Sequence, residues 1–208
     1  DAATQFTIHR TSTPVPEAER AALLAAPRFG TVFTDHMARV SWTSAGGWQD
    51  RRVEPYGPLQ MDPAAAVLHY GQEIFEGLKA YRHADGSIWS FRPEANAARL
   101  RRSARRLALP ELSDDDFLGS IESLVREDAA WVPDFEESSL YLRPFMFASE
   151  TFLGVRSARE VEFLVIASPV GPYFASGVKP VSIWVATDFH RAGPGGTGAA
   201  KCGGNYAA

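Results

Sequence analysis

The chain has 208 residues, 45% of them hydrophobic, and a formal net charge of -4, enough apolar material for one large domain or two unequal ones. With a pI near 5.8 and no long run of Lys and Arg, affinity for nucleic acid or an anionic membrane is not expected, and small molecules are the expected partners. The lone cysteine, Cys202, excludes an intrachain disulfide, and the five histidines lack paired metal-ligand spacing, so no metal is expected and a reducing cytoplasm fits.

The first residue is Asp1, not Met, and no apolar core behind a basic start marks a signal segment. No stretch of about 18 apolar residues predicts a membrane span. Thr4 to Pro16 reads as an extended arm, and EAERAALLAA as a helix that Pro27 stops. TVFTDHMARVSWT and WQDRRVEPY, joined by SAGG, predict a hairpin. EIFEGLKAYR and SIWSFR, with Asp85 and Gly86 in the turn, predict a second one.

In PEANAARLRRSARRLAL, Pro93 takes the first helical position and Ala97, Leu100, Ala104 and Leu107 recur at helical spacing up to Pro110. SDDDFLGSIESLVREDAAW opens a second long helix with a Ser cap and an acidic first turn. SLYLRPFMFAS and EVEFLVIASPV are strand-like, the latter apolar enough to be covered on both faces. GPYFASG (171–177) reads as a linker, and VKPVSIWVATDFHR beyond it as the start of a further strand. The expected organisation is α+β: one domain over 1–170, the linker at 171–177, and the beginning of another domain over 178–208.

Lys201 stands among Gly193, Gly195, Gly196, Gly198, Gly203 and Gly204, in a chain with only three lysines. A phosphate-binding loop needs Gly-Lys-Ser/Thr in direct succession, and Gly198-Ala-Ala-Lys201-Cys202 breaks that spacing. A flexible loop with an exposed amine is the ordinary alternative. Small residues on both sides also clear space for a planar ring attached to the amine, which makes Lys201 a Schiff-base candidate. Lys79 and Lys179 lack that frame.

The segments FGTVFTDHM (29–37), LHYGQEIFEGLKAYR (68–82), FRPEANAARLRRSARRLALP (91–110), SLYLRPFMFASETFLGV (139–155) and GGTGAAKCGGNYAA (195–208) closely resemble branched-chain amino acid aminotransferases in their bacterial form. These are pyridoxal-phosphate enzymes of fold type IV, the D-amino acid aminotransferase-like fold. The resemblance implies a two-domain α+β enzyme with the small N-terminal α/β domain complete and the large domain only begun. The rest of a longer chain is then expected to supply the acidic partner of the pyridine nitrogen, further phosphate ligands and the loop for the substrate α-carboxylate.

The resemblance also implies residue roles. Lys201 forms the aldimine with pyridoxal 5'-phosphate and moves the proton between substrate Cα and cofactor C4′; Tyr206 hydrogen-bonds the phenolic oxygen; Arg99 binds the phosphate. Without the resemblance, Arg99 is one of five arginines on a solvated helix face and Tyr206 a packed aromatic. Phe29, Tyr70, Phe75 and Tyr141 fall on the walls of an aliphatic pocket, and Val155 on a loop reaching the partner's site in a homodimer. Each alone reads as core.

The implied reaction is ping-pong transamination of L-leucine, L-isoleucine and L-valine with 2-oxoglutarate and glutamate, so the pocket needs polar groups at its rim. Arg143, Tyr70 and Tyr141 are the candidates, with Arg143 also readable as a strand-end salt-bridge former. Glu76, Gly77, His69 and Cys202 have no chemical task in this reading and count as structural. The rival readings are another fold type IV enzyme, a D-amino acid aminotransferase or an aminodeoxychorismate lyase, and a non-catalytic interaction module.

Overall fold

The computed structural model describes residues 5–27, 29–172 and 179–207. In chain order the elements are β1 (Thr7–Ile8), α1 (Glu17–Ala25), β2 (His36–Thr43), β3 (Gly47–Pro55), α2 (Ala66–Tyr70), β4 (Glu73–Phe75), β5 (Leu78–Arg82), β6 (Ile88–Ser90), α3 (Pro93–Arg106), α4 (Asp114–Glu127), β7 (Ser139–Ala148) and β8 (Glu160–Val170). Short 3-10 turns lie at Ala129–Trp131 and Gly203–Tyr206. The strands join in one sheet, ordered β1-β3-β2-β8-β7-β5-β6, with β4 also on β7.

Successive strand residues point to opposite faces, and here the two faces have different work. Leu140, Leu142 and Met146 of β7 join Ile74, Phe163 and Val165 in the main core. Leu100 of α3 and Phe117, Ile121 and Leu124 of α4 lie in the same core, each large side chain stabilising the fold by about 1.5–3 kcal/mol. Tyr141, Arg143, Phe145 and Phe147 alternate with that set and face the other way, beside Phe75, Leu164 and Ile166. The candidate site is built on this second face.

Both long helices start as their sequences dictate. Pro93 occupies the first turn of α3, where its missing N–H costs nothing. The Ser113 hydroxyl accepts the Asp116 N–H at 3.0 Å at the start of α4, ahead of the acidic first turn. The N-terminal arm is held by His36: Nε2 accepts the Thr11 N–H at 3.0 Å, so Nδ1 carries the proton and donates to Asp128 at 2.6 Å.

Two expectations change, and one short helix was not among them. The single strand expected over 73–82 is split into β4 and β5, although both keep one register on β7: Phe75 faces Phe145 and Leu78 faces Leu142. Glu76 N–H donates to the Pro144 carbonyl at 2.7 Å, but Pro144 has no N–H to return, so the ladder breaks there. Helix α2 had no detectable period in five residues; Gly71, at φ 60, closes it with an N–H to Val67.

Of the strand expected from residue 178 to 190, the described residues, 179–190, do not form one. Residues 179–190 carry neither strand nor helix, and Val181, Ile183, Trp184, Val185 and Phe189 are exposed. Alternating apolar residues make a strand only against a neighbour that takes their N–H and C=O groups, and none lies alongside among the described residues. Of the linker expected at 171–177, residues from 173 on lie outside the described residues.

Candidate active site

The glycine-flanked lysine is fixed by its backbone at both ends. Its N–H donates to Ser103 Oγ of α3 at 2.9 Å, and its carbonyl accepts the Phe75 N–H of β4 at 2.9 Å. Lys201 Nζ donates to Tyr206 Oη at 3.0 Å and lies 4.2 Å from the Phe75 ring centroid, where an amine gains a cation–π contribution when charged. Phe75 meets Tyr206 edge-on at 5.1 Å.

From Phe75 the cluster runs on across the sheet face. The Arg143 guanidinium sits 4.7 Å from the Phe75 centroid and donates through Nη2 to Tyr141 Oη at 2.9 Å. Tyr141 packs on Phe29 at 5.3 Å. Phe29, Tyr141, Arg143 and Ile166 line a recess of about 220 Å³. The structure thus joins Lys201, Tyr206, Phe75, Arg143, Tyr141 and Phe29 in one continuous patch: an amine at one end, an aromatic wall, and a cation at the rim.

Arg99 stands one helical turn before Ser103 on the same helix, α3. Its Nε and Nη2 donate to Glu76 at 2.6 and 2.7 Å, which raises the guanidinium further above its ordinary value, chiefly through those hydrogen bonds. Tyr70 and Val155 are elsewhere. They line a second recess of about 300 Å³ with Gly71, Leu107 and Arg156, and Val155 is 96% exposed.

Four residues that sequence reasoning gave no chemical role organise the site: Glu73, Glu76, Ser103 and Asn205. Buried Asn205 closes the glycine loop, donating to the carbonyls of Thr197 and Ala200 at 2.9 and 2.8 Å. The expectation that the glycines clear room for a ring holds only in part. A Cβ on Gly203 would collide with Glu73, and one on Gly198 with Ala192, whereas Gly204 faces open space. Two of the glycines therefore serve packing within the chain.

Gly77 lies against Tyr141, and a Cβ there would collide with the Tyr141 hydroxyl. Gly77→Ala is expected to displace that ring and lower stability by about 1–3 kcal/mol. Urea unfolding checks this; unchanged stability would show that the Tyr141 ring yields without cost.

Glu73 accepts the Gly203 N–H, and burial pushes its carboxyl above the ordinary range, opposed by Gly203 and by the nearby charge of Arg143. A raised native value means that the folded state holds the proton more tightly. Its contribution to stability is therefore full below about pH 4 and is lost as pH rises through the native value. The stability advantage of the native protein over Glu73→Gln is expected to shrink as pH rises from about 4 through the raised native value in denaturant unfolding; an advantage that grows would contradict this environment for Glu73.

A cofactor with a phosphate and a carbonyl fits these groups. Arg99 has no partner on its outer N–H edge among the described residues, with the side chain 46% exposed, and the amine of Lys201 has a hydroxyl partner and open space before Gly204. Among the described residues no helix is long and apolar enough to cross a membrane, and no group of three His, Cys, Asp or Glu could hold a metal ion.

No family model matches the chain. It is 58% identical over 205 residues to a branched-chain-amino-acid aminotransferase of Mycolicibacterium smegmatis, a match covering 98% of this chain and 56% of that protein. The chain thus spans about half the length of the curated relatives it matches. In fold it is similar to the branched-chain amino acid aminotransferase of Escherichia coli, at 23% identity and a TM-score of 0.55 over 81% of this chain and 53% of that one. An aminotransferase from Brucella abortus bound to the cofactor PLP gives a TM-score of 0.50 at 22% identity, over 81% and 54%. By sequence along nearly its whole length and by fold, this chain is similar to the branched-chain amino acid aminotransferases of fold type IV.

Proposed function

We propose that this chain is part of an enzyme that exchanges amino groups between L-leucine, L-isoleucine or L-valine and 2-oxoglutarate, using pyridoxal 5'-phosphate. The observation that carries the reading is Lys201: backbone tied to Ser103 and Phe75, amine 3.0 Å from Tyr206 Oη, with the Arg99 fork one turn along α3. When bound, the cofactor supplies the electron sink that lets a Cα proton leave. Lys201 would hold the cofactor through its amine, and that amine, once free, would take up and return the proton at the substrate Cα. Tyr206 donates to the phenolic oxygen, and Arg99 offers its outer N–H edge to the phosphate.

Phe29, Phe75 and Tyr141 give the side chain an apolar wall, suited to leucine, isoleucine and valine. Arg143 serves the second carboxylate of glutamate and 2-oxoglutarate, so one recess accepts both kinds of substrate in a ping-pong cycle. Tyr70 and Val155 share an exposed recess apart from Lys201, a placement that favours a homodimer in which they complete the partner's site. In this reading residues 1–170 form the small domain, 171–177 the linker and 178–208 the opening of the large domain, in a cytoplasmic enzyme. Steady-state rates of the full-length protein test the substrate class. L-leucine with 2-oxoglutarate is expected to be turned over; preference for D-alanine or aminodeoxychorismate would overturn the reading in favour of another fold type IV activity.

A further inference from the structure

Burying a carboxylate is costly unless donors surround it. Glu76 is 0% exposed and is met by four N–H groups: Arg99 Nε at 2.6 Å, Arg99 Nη2 at 2.7 Å, Asn96 Nδ2 at 2.8 Å and its neighbour Gly77 at 3.3 Å. Its position follows from the strand break at Pro144. The Glu76 N–H still bonds the Pro144 carbonyl, and alternation along the strand sends the side chain to the face of Ile74, under α3, where Asn96 and Arg99 stand.

A guanidinium has five N–H groups in a rigid fork. Glu76 takes Nε–H and one Nη2–H, which leaves both Nη1–H and the second Nη2–H on the outer, half-exposed edge. An untethered arginine would have to give up rotamer freedom on binding an anion; here that freedom is already gone. Asn96 completes the clamp from the same helix, also donating to the Gly77 carbonyl at 3.1 Å. Because Ser103 on the next turn ties Lys201, orienting Arg99 also fixes the span between the phosphate donor and the amine.

We infer that Glu76 is a positioning residue of the cofactor site, holding the Arg99 fork so that its outer edge is aimed at the phosphate before the cofactor arrives. The inference rests on the reading of Arg99 as a phosphate ligand. The test uses the full-length apoprotein and two probes, pyridoxal 5'-phosphate and pyridoxal, which lacks the phosphate, with Kd of each measured by absorbance titration and folding checked by circular dichroism.

Glu76→Gln is expected to weaken pyridoxal 5'-phosphate roughly 10- to 100-fold, in keeping with loss of charge-assisted hydrogen bonds, while pyridoxal changes by less than about 3-fold. Equal losses for the two probes, or none, would overturn the inference, since a merely structural role does not distinguish them. Should Glu76→Gln fail to fold, Glu76→Asp carries the same comparison: it keeps the charge but withdraws the carboxylate, and a smaller loss confined to the phosphorylated probe is expected. Arg99→Ala separates the two levels. If it lowers the phosphate preference and Glu76→Gln does not, only the positioning role falls; if it leaves the preference intact, the phosphate reading of Arg99 falls and takes the positioning role with it.

Discussion

Lys201→Ala is expected to reduce turnover of L-leucine with 2-oxoglutarate by at least about 10⁴-fold, while leaving the fold in place. The side chain has two tasks in the proposed reaction. A positioned acid–base group contributes about 10²–10⁴-fold, and loss of the covalent anchor compounds that effect. The fold should survive because the contacts that hold this segment are made by the Lys201 main chain, to Ser103 and Phe75, and alanine keeps both. Initial rates and a thermal melt read the two halves of this expectation. A variant that is inactive but also unfolded would not support the chemical role, and one with normal rates would exclude it.

Arg143→Leu is expected to raise KM for 2-oxoglutarate by about 10- to 100-fold, the size of one lost charge-assisted hydrogen bond, with a much smaller effect on KM for L-leucine. The asymmetry follows from the site. Arg143 bonds Tyr141 Oη and stacks over Phe75, so a carboxylate entering the recess meets a cation that is already oriented, whereas an aliphatic side chain uses the neighbouring rings. Removing the cation leaves those rings in place. Equal effects on the two substrates would mean that Arg143 only supports Phe75 and Tyr141.

What could be read from the sequence was set by locality. Pro93, the Ser113 cap and the Asp85–Gly86 turn act within a few residues of themselves, and the hairpins and long helices they mark are present. The apolar centre of β8 read as doubly covered, and both faces of that strand do pack. Lys201 stood out as a candidate by its frame of glycines and alanines, whereas Arg99 and Tyr206 became candidates only through the family resemblance, because an arginine-rich helix does not say which arginine turns inward.

The supporting residues were not legible at all. Glu76 is separated from Arg99 by 23 residues and Glu73 from Gly203 by 130; nothing local in FEGLK or YGQEI predicts those meetings. The strand break at Glu76 depends on Pro144, which lies on another strand. A period-2 pattern likewise misled at 178–190, because alternation records which side chains could be buried, while a strand exists only where a neighbour takes its hydrogen bonds.

Lys201 is expected to be covalently attached to the cofactor in the full-length protein. The direct measurement is the intact mass of that protein before and after borohydride reduction, followed by a peptide map. A pyridoxyl group fixed on Lys201 and absent from the Lys201→Ala protein is the expected result. A reduced protein with no adduct, or one carrying it on Lys79 or Lys179, would contradict it.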